Sequence, residues 1–368
     1  MLKNSWISGR KKIIYSFKNK MLSLVIFFLF VFLLPVFSYS QEILSRAVVV
    51  MDASTGRLLY AKNPDLRCPP ASTTKLMTAI ITLERANLND VVTISKNAAR
   101  VPPHKAGFRA GDRMTVEELL NAALIGSAND AAVALAEAVA GSEEKFVELM
   151  NMKAISIGAS NTFFINATGL PGSGQYITAN DLSRIMSYAL KYPKIREIIG
   201  TRITQVSATN GSSKLIRNTN RLLWSEDALV GGKTGYTNKA RHCFVCAAER
   251  KNDTIVVAVL GSPSREELWR ETELLITKGF DVLNNRENPV FYVTNTEIDD
   301  YSIVKPSKRI HKIKKSSKKI SFAKKSKIKS SKEKIYAKGK IKKYKIAKSK
   351  TKNKKSFKFA KRTGVEKS

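Results

Sequence analysis

Two short apolar runs, residues 47–51 and 57–61, flank the turn-rich string Asp52-Ala-Ser-Thr-Gly56, and this spacing predicts a β-hairpin at the start of the folded part. After Pro69 and Pro70 the period changes. Leu76, Ala79, Ile80 and Leu83 recur at helical spacing, which predicts a helix starting near Ser72 with Thr73 and Thr74 in its first turn. The same period predicts helices over 116–125, 130–139, 143–157 and 179–190, the last capped by Thr178. Strand-like runs return at 229–236, 243–249 and 254–260, and a helix over 265–283 follows them. Strands from both ends with helices between them predict an α+β fold: an antiparallel sheet flanked by helices, with an inserted helical block.

Charge divides the chain further. Of the formal net charge of +34, most lies in residues 305–368, which hold 28 Lys and Arg against Glu333 and Glu366. Few large apolar groups are present there to offset the entropy of ordering, so 305–368 is expected to be a disordered Lys-rich tail. A linker over 286–304 joins it to one folded domain over 41–285, which is nearly neutral and long enough for a substantial core. Such a tail attracts polyanions.

At the other end, Arg10, Lys11, Lys12, Lys18 and Lys20 lead into an apolar run over 21–37 that is closed by Ser38-Tyr39-Ser40. Residues 1–40 are therefore expected to be an export signal cut before Gln41, or a retained membrane anchor, since the run is at the short edge of the roughly 17 to 25 residues that span a bilayer. Either reading places Gln41 onward outside the cytoplasm, in a periplasm or on the outer face of the membrane. Export makes anionic wall polymer or a membrane surface the expected partner of the tail, and argues against nucleic acid.

Cys68, Cys243 and Cys246 are too few for a disulfide framework. Cys243 and Cys246 lie three apart on a predicted strand, hence on opposite faces, and no second pair completes a zinc site. They are expected to be small buried hydrophobes, with no metal bound.

The candidate chemistry begins at Ser72-Thr73-Thr74-Lys75, where a hydroxyl and an amine three residues apart share one helix face. Alone the string says little, because it recurs in the Lys-rich tail at Ser321 to Lys324 and Ser326 to Lys329. Its setting differs: a proline break before it, an apolar-periodic helix after it, then Ser127-Ala128-Asn129 between two helices and Lys233-Thr234-Gly235 on a late strand. That order of Ser-x-x-Lys, Ser-x-Asn and Lys-Thr-Gly is the signature set of serine β-lactamases and penicillin-binding proteins. A serine hydroxyl needs an adjacent base, which Lys75 supplies if burial and a second cation, Lys233, lower its pKa. Ser127 is the candidate relay of a proton to a leaving amine, and Asn129 the candidate partner of a substrate backbone. Lys233 and Thr234 suit a terminal carboxylate, Gly235 allows close approach of the strand, and the N–H groups of Ser72 and Tyr236 are candidates for an oxyanion hole.

The longer strings Pro70-Ala-Ser-Thr-Thr-Lys-Leu-Met-Thr-Ala79, Gly126-Ser-Ala-Asn-Asp-Ala-Ala132 and Gly232-Lys-Thr-Gly-Tyr-Thr237 make the chain, from Ala47 to about Leu260, resemble the D-alanyl-D-alanine carboxypeptidases among the low-molecular-mass penicillin-binding proteins. The resemblance implies a sheet flanked by helices with the site at the junction with the helical block. It implies removal of the terminal D-alanine from peptidoglycan stem pentapeptides through an acyl-enzyme on Ser72, with β-lactams as covalent inhibitors and no metal or organic cofactor. Catalytic roles are implied for Ser72, Lys75 and Ser127, and substrate contacts for Asn129, Lys233, Thr234, Gly235 and Tyr236. Two positions depart from the pattern: Thr168 where many members have His, and Arg241 where many have Gly.

Other readings remain beside this one. A DD-endopeptidase that cuts cross-links shares the chemistry. A β-lactamase would need an efficient deacylating base, and no Glu-x-x-Leu-Asn string follows Ser127. A wall-binding module on a dead peptidase scaffold would keep only the tail's charge. A Ser-His-Asp hydrolase is opposed by the lack of a Gly-x-Ser-x-Gly elbow, and His104, among Pro102, Pro103 and Gly107, reads as a loop residue.

Overall fold

The computed structural model describes residues 42–209 and 211–294, with Met21, Ser23 and Leu24. The basic tail and nearly all of the predicted export segment lie outside the described residues. Among the described residues no helix is long and apolar enough to cross a membrane.

The chain opens with strands β1 (Ala47–Asp52) and β2 (Leu58–Lys62), paired antiparallel with Val48 opposite Lys62. Asp52 builds the turn between them: its carboxylate accepts from Ser54 N (2.9 Å) and from the Ser54 and Thr55 hydroxyls (2.7 and 2.6 Å), and Gly56 takes φ +72°. Then come α1 (Lys75–Arg85), β3 (Val91–Thr93), α2 (Lys96–Arg100), β4 (Arg113–Thr115), α3 (Val116–Leu124), α4 (Asn129–Ala140) and α5 (Glu143–Ser156). After these follow α6 (Ala179–Ala189), α7 (Pro193–Gly200), β5 (Ile203–Ser207), β6 (Ser213–Arg217), β7 (Leu229–Thr237), β8 (Arg241–Arg250), β9 (Asp253–Ser262), α8 (Arg265–Leu283) and β10 (Val290–Tyr292). Side chains cap the helices where the sequence offers them: Thr115, Ser142, Thr178 and Ser264 each accept a backbone N–H from the first turn.

The main sheet has the order β10-β2-β1-β9-β8-β7, so strands from the two ends of the domain lie side by side and the helical block is inserted between them. This is the expected α+β arrangement. All pairs are antiparallel except β10 with β2. Alternation along the strands feeds two cores. Val49, Met51, Cys243 and Val245 face the helical block, whereas Val48, Val50, Phe244 and Cys246 face α8. Cys243 and Cys246 therefore do point to opposite sides, and both are free, buried thiols, as is Cys68. Burial pushes the Cys243 thiol up to about 12, which suits a packing role rather than a reactive one.

Several elements were not anticipated. Ser72 sits on a 3₁₀ turn, Ala71–Thr74, with the α-helix starting only at Lys75. The short pairs β3–β4 and β5–β6 and the helix α7 also lie in stretches without a clear period. Val290–Tyr292, inside the stretch read as a linker, adds an edge strand beside β2.

Candidate active site

The 3₁₀ turn explains how Ser72 and Lys75 meet. In this geometry residues three apart eclipse each other, and Lys75 Nζ lies 3.0 Å from Ser72 Oγ. Ala71, at φ +48°, bends the chain into the turn, and the Thr73 hydroxyl donates to Pro70 O (2.7 Å). Two glycines press on it from either side. A Cβ at Gly235 of β7 would lie 2.9 Å from both Ala71 Cβ and Ser72 N, and one at Gly169 would lie 1.7 Å from Ala71 O. The close approach that was expected of Gly235 is thus an approach to the turn carrying Ser72.

Lys75 is fully buried and donates to Asn129 Oδ1 (2.7 Å) and Thr168 O (2.8 Å). Burial, and then the Lys233 charge, hold its pKa well below the ordinary lysine value, against the attraction of Asp130. Lys233 is equally buried; it donates to Ser127 Oγ and Thr234 O, both at 2.9 Å, and burial lowers its pKa to about 7. Ser127 takes φ +60° in the turn between α3 and α4. Asn129 opens α4 and is held by its own donations, Nδ2 to Pro102 O (3.2 Å) and backbone N to His104 O (2.8 Å). Ser72, Lys75 and Asn129 thus form one hydrogen-bonded chain, with Lys233, Ser127 and Thr234 as a second.

These groups can do defined chemistry. An amine whose pKa burial has lowered loses its proton more readily than an ordinary lysine, and can then take the proton of a hydroxyl 3.0 Å away. A buried cation beside Ser127 favours proton delivery through that hydroxyl. Among the described residues the outer edge of β7 has no strand partner, the arrangement by which a sheet can take up an extended peptide. Tyr236 stands at the rim, 55% exposed, its ring 4.5 Å from that of His242 and its hydroxyl on Asn238 (3.2 Å); its side chain takes no part in the buried network.

The family model described as D-alanyl-D-alanine carboxypeptidase matches residues 36–264. The chain belongs to the D-alanyl-D-alanine carboxypeptidase family. Among members of that family, the D-alanyl-D-alanine carboxypeptidase DacF of Bacillus subtilis is 36% identical over 228 residues, covering 61% of this chain and 59% of that protein. The D-alanyl-D-alanine endopeptidase of Pseudomonas aeruginosa is 33% identical over 257 residues, covering 66% of this chain and 83% of that protein. The chain spans less than two thirds of the Bacillus subtilis carboxypeptidase and of DacC of Escherichia coli (59% and 66%). Among solved structures, the D-alanyl-D-alanine carboxypeptidase of Mycobacterium tuberculosis H37Rv aligns with TM-score 0.61 at 32% identity, over 64% of this chain and 90% of that one.

Both departures from the usual carboxypeptidase-family pattern have a structural setting. At 168 the network uses the backbone carbonyl, while the Thr168 hydroxyl donates to Asn166 Oδ1 (3.0 Å). At 241 the chain takes φ +59°, a conformation that glycine adopts without strain and that Arg241 holds here. Two residues with evident parts in the site were missed. The Thr219 hydroxyl lies 2.5 Å from that of Thr234, and Asp130 accepts the backbone N–H groups of Ala106, Gly107 and Phe108 (3.0, 2.7 and 3.0 Å). The signals were weak: a threonine between two asparagines, and an acid in the first turn of a helix, where the dipole alone explains it.

Proposed function

We propose that this protein is a serine-type D-alanyl-D-alanine carboxypeptidase that removes the terminal D-alanine from peptidoglycan stem pentapeptides. The observation that carries the reading is the buried pair of lysines with lowered pKa values, one on Ser72 and one on Ser127. Lys75, with its lowered pKa, acts in its deprotonated form and takes the proton as Ser72 Oγ attacks the carbonyl, with the N–H groups of Ser72 and Tyr236 receiving the developing oxyanion. The bond to the leaving D-alanine breaks as Ser127 passes a proton to its nitrogen, and water then hydrolyses the acyl-enzyme. Lys233, Thr234 and Thr219 face the leaving carboxylate, and that charge raises the proton affinity of Lys233 on binding. Asn129, Gly235 and Tyr236 align the peptide along β7. The expected product from an uncross-linked pentapeptide is free D-alanine, measured by an amino-acid assay. If only cross-linked dimers are cut, the endopeptidase reading, which suits the Pseudomonas aeruginosa relative, replaces this one.

We further infer export through residues 1–40 and a tethering role for 305–368, supported by the charge count of the sequence. Truncation after Val304 should leave hydrolysis of a small soluble pentapeptide unchanged. It should remove binding to intact sacculi or anionic vesicles that in the full chain falls steeply as salt rises. Loss of activity on the small peptide would show that the segment belongs to the catalytic unit instead.

A further inference from the structure

Residues 102–108 run between α2 and β4 as an irregular strap, and its backbone is gripped from two sides. On the inner side stands Asp130, fully buried in the first turn of α4. One of its carboxylate oxygens accepts the Ala106 and Ala131 N–H groups (3.0 Å each), the other those of Gly107 (2.7 Å) and Phe108 (3.0 Å). On the outer side stands Lys214, at the start of β6, whose Nζ donates to Ala106 O (2.5 Å) and Gly107 O (3.0 Å). An anion thus takes the N–H groups and a cation the carbonyls of the same two residues, so charge-assisted bonds hold the strap along both edges.

The near end of the strap reaches the base. Pro102 O accepts from Asn129 Nδ2 (3.2 Å) and His104 O from Asn129 N (2.8 Å), while Asn129 Oδ1 accepts from Lys75 Nζ (2.7 Å). A carboxamide is fixed in plane when both its oxygen and its nitrogen are engaged, and that of Asn129 is fixed by Lys75 at one end and by the strap at the other. Asp130 acts on Lys75 through its charge as well. The elements packed around α1 are α3, α4, α5, α6 and, through the 3₁₀ turn, β7. Of their charged groups, Glu117 and Glu118 of α3 are turned to Lys194 and Ser207 N, Glu143 of α5 to Ala167 N and Asp181 of α6 to the Thr162 hydroxyl. Those that shift the Lys75 amine are Lys233, which lowers its pKa, and Asp130, which raises it.

Resting on the carboxypeptidase reading, in which Lys75 is the base, we propose that Asp130 and Lys214 are positioning residues: together they clamp the 102–108 strap, and through its grip on Asn129 they hold Lys75 in line with Ser72. Neither touches the reacting atoms. Lys214 carries no signal in the sequence, since it is an exposed lysine on a short hairpin far along the chain from every motif.

The test reads acylation of the full chain by benzylpenicillin as a function of pH, beside thermal melting. Lys214→Met frees the strap carbonyls while leaving the Asp130 charge in place. It should slow acylation by about tenfold, within the roughly 10²-fold that a 1 Å misplacement can cost, and leave the pH of the rising limb unchanged. Lys214→Arg, which keeps donors for both carbonyls, should recover most of the rate. Asp130→Asn sets an amide donor against the strap N–H groups and removes the charge. It should slow acylation and also move the rising limb to lower pH, because Lys75 loses a neighbour that favours its protonated form. In the double variant the two losses should overlap rather than multiply, since both act through one strap. Lys214 is exposed, so its variants should fold and test the clamp even where Asp130→Asn does not. Wild-type rates in Lys214→Met, or losses that multiply in the double variant, would overturn the clamp. A limb unmoved in a folded Asp130→Asn protein would reduce Asp130 to a structural residue. No penicillin adduct on wild-type Ser72 would overturn the carboxypeptidase reading, and the part of the clamp in acylation with it.

Discussion

Benzylpenicillin should leave one covalent adduct on Ser72, and the Ser72→Ala protein should carry none. Attack by Oγ forms an ester to the lactam carbonyl, breaks the ring C–N bond and moves the hydroxyl proton to that nitrogen, so the whole drug is retained in the mass. The leaving nitrogen stays tethered and cannot diffuse away, as D-alanine does. No glutamate of the deacylating kind follows Ser127, so the ester should persist long enough for intact-mass measurement and peptide mapping. Removing the nucleophile takes away the step itself, and single deletions of this sort in serine hydrolases cost on the order of 10⁶ in rate. An adduct mapped to another residue, or none on a folded wild type, would contradict the mechanism.

Lys75→Ala should slow penicillin acylation by roughly 10² to 10⁴, the usual worth of a positioned general base. Lys75→Arg should be no better, because a guanidinium does not lose its proton at accessible pH and cannot accept one from Ser72. Stability should change far less. The variant strands Asn129 Oδ1 and Thr168 O without their donor, at about 1 to 3 kcal/mol each, while relieving the cost of an amine in a buried site. The pH dependence has a definite sign. Burial and the Lys233 charge lower the folded-state pKa of Lys75, so wild-type acylation should rise as pH passes upward through that lowered value. Between the lowered pKa and the unfolded value the unfolded chain holds the extra proton, so this lysine's contribution to stability improves as pH rises across that window. A Lys75→Arg protein that keeps wild-type acylation would exclude Lys75 as the base.

Much of this site could be read from the chain because its parts are local strings whose order is informative. Ser72 and Lys75 are bound by sequence spacing. Ser127 and Asn129 lie on one helix–helix turn, and Lys233 through Tyr236 on one strand. The main sheet was legible for a related reason: residues 47–51 and 254–260 are apolar enough to be buried on both faces, and Ala47 indeed pairs with Leu260. What escaped depends on contacts across the chain. Thr219 matters because it meets Thr234, Asp130 because it gathers three distant N–H groups, and Thr168 because its carbonyl, which no side chain signals, reaches Lys75. The 3₁₀ turn at Ser72 is set by Gly235 and Gly169 crowding Ala71, an effect of packing rather than of local propensity. β10 has three residues, with Val290 and Phe291 exposed, and therefore carries no burial pattern to detect.

The role of Asn63 at the end of β2 bears on how the domain responds to being pulled. Its side chain donates to Arg46 O and Thr294 Oγ1 and accepts from Thr294 N, each at 2.8 Å, so one residue clasps the chain where it enters the sheet and where it leaves. Nearby, Lys62 Nζ donates to Ile43 O, and Glu271 of α8 accepts from Ser45 N (3.0 Å). Both ends of the described domain are thus gathered at the β10–β2 edge, five strand spacings, or about 24 Å, from β7. A mechanical load applied through residue 294 meets the Asn63 clasp and the β10–β2 ladder first, and is expected to peel that edge while β1, β9 and β8 still stand between it and the strand that frames Ser72.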